Sequence, residues 1–335
     1  MAHLSAAPAP WIRAQTTQLL AQRGHAWLLA GPSGLGQYEL ALSLAAAWLC
    51  DQPNAQGACG HCQSCHALNV RTHADLCVLM PEAVLLALGW PLAQSAQADL
   101  ESAKRKPSKE IKADALREAI EFSQRSSARG RGKVVLVYPA ERMNHVTANG
   151  LLKTLEEPAG ELKFVLASEA AHQLLPTIRS RCLWHSMVWP QQAVALNWLQ
   201  EQAVPELQAA VLLRAAGGRP QDALAYFQQG RHAEVWQALP GAMARGEVAI
   251  FKDWSPAQVL DALHKLCHDA LAALCGAAPR FFDLAQLPKA KSLLALTAWS
   301  RALSATSRSV EHPYNNGLLL EALVNQASLA LSSKA

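Results

Sequence analysis

The chain has 335 residues, 51% of them hydrophobic and 17% charged, which is enough apolar material for two or three packed domains and excludes a disordered chain. Lys and Arg total 30 against 26 Asp and Glu, and a net charge of +4 is too small for bulk electrostatics to announce a strong nucleic-acid binder. The opening residues lack a basic stretch followed by a long apolar run, and the most apolar stretch, ELALSLAAAWLC, is too short and interrupted to span a bilayer. The expectation is a soluble cytoplasmic protein with no membrane partner.

The first predicted strand is the apolar run 27–30. After it comes LLAGPSGLGQYEL, Leu28 to Leu40, which nearly fits the phosphate-loop pattern G-x-x-x-x-G-K-[ST]. Gly31, Gly34 and Gly36 supply the glycines, and a helix over 37–49 follows, as such a loop requires. In a working loop, backbone N–H groups and a helix N-terminus cradle phosphates, the lysine neutralises the β/γ oxygens, and Ser/Thr holds Mg²⁺. Here Gln37 stands in the lysine position and Tyr38 in the Ser/Thr position, so the fold signal survives without the chemistry.

Four cysteines come next, Cys50, Cys59, Cys62 and Cys65, spaced C-x8-C-x2-C-x2-C through the polar, glycine-bearing segment DQPNAQGACGHCQSC. Free cysteines favour apolar sites, whereas this loop can turn four thiolates onto one tetrahedral Zn²⁺, leaving no open position and therefore a structural ion. His61 and His66 are weaker substitutes. Cys77, Cys182, Cys267 and Cys275 sit among apolar residues and read as core.

Further buried strands are expected at 76–80, 134–138 and 164–167, with a short fifth run, CLWHSMVW, before Pro190. Between them lie helical patterns over 110–122 (Ile111, Ala115, Ala119, Phe122) and 144–156 (Val146, Leu151, Leu152, Leu155). Alternation of this kind defines an α/β domain with a parallel sheet. Residues 85–109, polar and charged, read as a surface insertion or mobile loop. An acidic pair should end the strand 134–138 of an ATPase, but Tyr138 and Pro139 stand there, and Glu141 comes two positions late. Beyond Pro190 the pattern is all helical, with breaks at Gly217-Gly218, Gly230, Gly241, Gly276 and Pro313. His264 and His268 lie four apart, but Lys265 replaces the general base of H-E-x-x-H, so both read as ordinary helix residues.

The stretch from Gly130 to Cys182, with ANGLLKTLEEP and TIRSRC as its most specific parts, resembles the bacterial DNA polymerase III clamp-loader family of the AAA+ superfamily. The cysteine module after the loop helix also matches, and NNGLLLEALV (315–324) resembles the family's C-terminal collar. The resemblance implies an AAA+ α/β domain with a zinc module (1–190, module 50–66), a helical lid (191–240) and a helical collar (241–335). Within the family, degenerate loops that keep S-R-C mark the non-hydrolysing member. Arg181 of Ser180-Arg181-Cys182 would then point into the nucleotide site of a neighbouring ATPase and act there in trans. The plain alternative is a solvated surface arginine, an ambiguity that nearby Arg179 illustrates. The lid arginine of family ATPases is replaced in GRPQDAL by Gln221, with Arg219 offset by two. The implied partners are gamma/tau-type ATPase subunits and a delta subunit in a hetero-pentamer that places the sliding clamp on primed DNA, without productive MgATP at this chain's own loop. An active ATPase with an atypical loop and a zinc-dependent DNA-binding adaptor remain alternatives.

Overall fold

The computed structural model describes residues 8–92, 94–102, 105–309 and 315–332. Pro313, read above as a helix break, lies outside them, as do residues 1–7. The chain divides into two compact units, Met1–Pro190 and Gln191–Ala335.

The first unit is built on five parallel strands, β1 (Ala26–Ala30), β2 (Leu76–Leu79), β3 (Lys133–Val137), β4 (Leu162–Ser168) and β5 (Leu183–Ser186), in the order β2-β3-β4-β1-β5. Every residue of β1 and β3 is buried, and apart from Lys133 both read as unbroken apolar runs; the expectation of burial fails at the sheet edges, where β2 is only partly buried and β5 exposes Leu183 and Trp184. Helix α1 (Pro10–Leu20) precedes β1, with Pro10 pre-set for the first turn. Helix α2 (Gln37–Leu49) follows the glycine loop and covers one sheet face, where Trp48 lies 4.8 Å from Trp27 of β1. On the opposite face α6 (Ala113–Gln124) and α7 (His145–Glu156) bury Leu116, Ala119, Leu151 and Leu155 against Leu28, Val135 and Phe164. Lys133 turns inward from β3 and caps α6, donating to the carbonyls of Phe122 and Ser123 at 2.7 Å each and to that of Arg125. Short helices α3 (Gln63–Asn69), α4 (Glu82–Leu88), α5 (Gln94–Glu101) and α8 (Pro176–Arg179) complete the unit.

Two readings of this region change. The segment 85–109 holds the end of α4 and all of α5, and Glu82 anchors its far side by accepting from Arg105, from the Ser108 N–H at 2.8 Å and from Lys112 at 3.3 Å. Ile111 is fully buried, but it lies just ahead of α6 and bridges to Met143, while Val146 of α7 is 68% exposed. Spacing alone could not separate the buried face of α7 from its outer one.

The second unit is helical throughout its described residues: α9 (Gln192–Glu201), α10 (Glu206–Ala215), α11 (Pro220–Gln228), α12 (Ala233–Arg245), α13 (Pro256–Leu274), α14 (Leu293–Ser307) and α15 (Asn316–Ser332). One apolar cluster runs through it, from Ala195 on α9 through Trp236 and Leu263 to Leu331 on α15. Gly217, Gly230 and Gly276 each follow a helix end, but Gly241 sits inside α12, which stops instead at Gly246 in the left-handed conformation (φ 73°). Ser255 and Gln258 form a capping box ahead of α13. The fully buried Asp269 accepts the backbone N–H groups of Arg280, Phe281 and Phe282 at 2.7–2.9 Å and fixes the loop after α13. Lys265 is buried and donates to Tyr226 and Asp261 at 2.6 Å each. His264 and His268 turn to different partners, Ser307 at 3.0 Å and Asp269 at 2.8 Å, as ordinary helix residues do. Of the cysteines read as core, Cys267 is buried and Cys77 and Cys182 partly so, whereas Cys275 is exposed at the end of α13. Among the described residues no helix is long and apolar enough to cross a membrane.

Candidate functional site

The glycine loop joins the end of β1 to α2, at the carboxyl edge of the sheet where open parallel sheets bind ligands. Gly34 (φ 77°) and Gly36 (φ 94°) take left-handed conformations that a side chain would strain, and Gly31 has no room for a Cβ, which would lie 2.8 Å from Met187. The loop is held by its own chain. Gln37, 2% exposed, donates from Nε2 to the carbonyls of Gly31 at 2.6 Å and Pro32 at 2.7 Å. The residue in the lysine position thus spends its donors on the loop rather than on a ligand. From α1, Trp11 donates to the Leu35 carbonyl at 3.0 Å.

Tyr38 is buried one residue later. Its hydroxyl accepts from Trp90 Nε1 at 2.8 Å across 52 positions of sequence, so the segment after α4 reaches directly into the cleft. The Tyr38 ring lies 5.4 Å from that of Tyr138, at the end of β3. Tyr138 donates to Glu169 at 2.8 Å, and Glu141 accepts from Ser168 Oγ at 2.7 Å and the Glu169 N–H at 3.1 Å. Burial raises both phenols above their ordinary pKa, with the Glu169 carboxylate adding to the effect at Tyr138, so the hydroxyls stay protonated hydrogen-bonding groups. The ends of β1, β3 and β4 therefore converge on two phenol rings and two engaged carboxylates. Glu141, two positions late in sequence, braces the end of β4.

The four cysteines converge as their spacing requires. Cys50 ends α2, Cys62 caps α3, Cys65 lies in its first turn, and their sulfur atoms, with that of Cys59, all lie within 4.8 Å of one another. The separations are 3.8 Å for Cys50–Cys62, 3.9 Å for Cys59–Cys65 and 3.7 Å for Cys50–Cys65. A tetrahedron with metal–sulfur bonds of ~2.3 Å has edges of ~3.8 Å, so the donor set fits a thiolate-bound ion. The Cys59 and Cys65 N–H groups point at the sulfurs of Cys50 (3.3 Å) and Cys62 (3.4 Å), as suits thiolate acceptors. Around the ligands, Ser64 binds the Leu49 carbonyl at 2.7 Å and His73 at 2.6 Å, while Asp51 takes the Ser64 N–H at 3.2 Å and Arg129 at 3.0 Å. His61 is exposed and turned to the Cys59 carbonyl at 2.9 Å, and His66 is exposed on α3; neither belongs to the cluster.

Arg181 follows α8, with its side chain 32% exposed. Its Nε donates to Glu156 Oε1 at 2.6 Å, Nη2 meets the same oxygen, and Nη1 donates to the Thr177 carbonyl at 2.9 Å and lies 3.4 Å from Ser180 Oγ. Arg179 is half-buried, its Nε without a partner. Both arginines are partly buried; what separates them is their partners, since Arg181 pairs with Glu156 while Arg179 Nε pairs with nothing. In the second unit, Arg219 pairs with Asp222 at 2.8 Å beside the half-buried Gln221.

A five-stranded parallel sheet with a glycine loop between its first strand and the following helix places the first unit in the nucleotide-binding α/β class, with the Gly31 and Pro32 carbonyls of that loop bound by Gln37. The DNA polymerase III gamma subunit-related protein of Thermotoga maritima shares this fold at a TM-score of 0.50 and 16% identity, over 95% of this chain and 99% of that one. A family model described as DNA polymerase III, delta subunit matches residues 13–188. DNA polymerase III subunit delta' of Escherichia coli K12 is 34% identical over 284 residues, covering 80% of this chain and 78% of that protein. The Pseudomonas aeruginosa protein of the same name is 38% identical over 237 residues, covering 69% of this chain and just under two thirds, 65%, of that protein. The tau subunit of Salmonella typhimurium is 30% identical over 213 residues, 29% of its length. The chain belongs to the DNA polymerase III delta-prime family, whose members are clamp-loader components of DNA replication.

Proposed function

We propose that this chain is the non-hydrolysing stator of a DNA polymerase III clamp loader. It would assemble in the cytoplasm with gamma/tau-type ATPase subunits and a delta subunit as a hetero-pentamer that loads the sliding clamp onto primed DNA. The observation that carries this reading is the contrast between two sites. The glycine loop is tied shut by Gln37, and the cleft beside it is filled by Tyr38 and Tyr138. Arg181, the residue suited to act on another chain's nucleotide, stands partly exposed at the surface.

In that assembly Arg181 would place its planar guanidinium charge against the γ-phosphate held by a neighbouring ATPase, where negative charge develops during transfer. This chain's own loop does no hydrolysis, because Gln37 carries no charge and no carboxylate pair ends β3 to hold Mg²⁺ or orient water. Cys50, Cys59, Cys62 and Cys65 would hold one Zn²⁺, whose chemistry is that of a structural cross-link. The second unit would supply the lid (191–240) and the collar (241–335) through which the ring is assembled.

Reconstitution tests the proposal. ATPase and delta subunits with this chain should load clamps onto primed DNA, and omitting it should abolish loading. The isolated chain should neither hydrolyse ATP nor bind DNA tightly. Turnover by the chain alone would favour an active ATPase, and tight DNA binding without partners would favour an adaptor.

A further inference from the structure

We infer that Glu156 is a positioning residue for Arg181. The inference rests on the trans role given to Arg181 above. Glu156 is the last residue of α7, and Arg181 lies 25 positions later, just beyond α8. The two meet because α7 and α8 pack together. A free arginine at the surface samples many rotamers, and ordering it carries an entropic cost. Here every guanidinium nitrogen is engaged before any partner arrives. Nε and Nη2 turn to Glu156 Oε1, and Nη1 to the Thr177 carbonyl at 2.9 Å. The Nε edge is thus clamped by the carboxylate and the far corner by the end of α8. With the other N–H of Nη1 turned to Ser180 Oγ at 3.4 Å, the second N–H of Nη2 is left for an incoming acceptor. The guanidinium is fixed in one plane rather than free to sweep.

The pair does little for the fold. The side chains are 32% and 47% exposed, and pairs of this kind contribute little to stability. An ion pair that is weak as a brace can still decide where a guanidinium points. Nearby charges do not compete for the role: Arg179 keeps a buried Nε without a partner, so Glu156 serves Arg181 rather than both arginines.

The test is a double-mutant cycle on ATP hydrolysis by the reconstituted, DNA- and clamp-stimulated complex, with Glu156→Ala, Glu156→Gln, Arg181→Ala and the double variant. Glu156→Ala should lower kcat roughly 3–10-fold, a fraction of what full ordering of an arginine is worth, with KM for ATP unchanged. Glu156→Gln keeps an acceptor oxygen and should recover much of that loss. In the Arg181→Ala background, Glu156→Ala should have no further effect. Zinc content and melting temperature of Glu156→Ala should match the parent, which separates positioning from misfolding. If Arg181→Ala slows hydrolysis but Glu156→Ala runs at the parent rate or faster, or slows both backgrounds equally, the positioning role is overturned and the trans role stands. If Arg181→Ala itself is without effect, the trans role falls and the positioning role with it.

Discussion

Rewriting the glycine loop toward a working motif, Gln37→Lys with Tyr38→Thr, should destabilise the α/β unit and create no MgATP site. Tyr38 is 3% exposed, and truncating a buried aromatic ring costs about 3–5 kcal/mol, less some for the atoms threonine retains. Trp90 Nε1 then loses its acceptor, an orphaned buried donor worth about 1–3 kcal/mol. Lysine at position 37 can donate to the Gly31 and Pro32 carbonyls as glutamine does, but it brings a charge to a site 2% exposed. The combined loss is on the order of 4–6 kcal/mol, a large share of the roughly 5–15 kcal/mol that holds a typical domain. The repair still leaves the Tyr138 ring in the cleft and no acidic pair at the end of β3. Urea unfolding followed by tryptophan fluorescence reads the first claim, and titration calorimetry with MgATP reads the second. Tyr38→Phe isolates the hydroxyl and should lose only about 1–3 kcal/mol. A double variant that unfolds at the parent midpoint, or binds MgATP at micromolar affinity, would refute the reasoning.

Metal analysis of the purified chain should return about one zinc per chain, and Cys62→Ala should abolish it while raising hydrogen exchange mainly over 50–66, since the module is inserted beside a complete sheet; a folded parent with four titratable thiols and no metal would contradict this. Acid should loosen the segment after α4. Arg105 holds the Glu82 carboxyl down at about 2, so its contribution is full above the ordinary carboxylate range and is lost as pH falls from about 4.5 toward 2. Glu82→Gln should remove that part of the pH dependence, on the order of 1–2 kcal/mol after solvent screening, and identical acid-unfolding slopes for parent and variant would count against it.

The centre of the sheet was legible because strands buried on both faces, as β1 and β3 are, must be largely apolar. All five runs became strands, but the apolar edge strand β5 is mostly exposed and β2 only partly buried, and nothing in a run such as VVLVY states that it lies between β2 and β4. The cysteine site was legible because C-x2-C spacing restricts what four sulfurs can reach. What could not be read was long-range. Trp90 belongs to Tyr38 across 52 positions, and Glu156 to Arg181 across 25, and neither pairing leaves a local periodicity. Gly241 misled because a glycine can stand inside a helix when packing compensates, and only the left-handed φ of Gly246 marks the true stop. Cys275 misled because burial of α13 ends at Ala270: its apolar neighbours 271–273 are only partly buried, Leu274 is exposed, and Cys275 stands past the last turn.

The central claim is that this chain acts on a neighbour's nucleotide and not on its own, and the most direct test is the ATP hydrolysis rate of the reconstituted complex carrying Arg181→Ala. An arginine supplied in trans contributes on the order of 10³–10⁵ at a single nucleotidase site. The whole-complex loss should be smaller, because in the proposed assembly the remaining ATPase sites would receive arginines from other neighbours. Arg181→Lys should fail as well, since an ammonium cannot reproduce the planar fork, and Arg179→Ala should be milder. The account predicts slower hydrolysis and slower clamp loading from a complex that still assembles with zinc bound; parent rates for Arg181→Ala would contradict it and leave Arg181 a surface residue paired with Glu156.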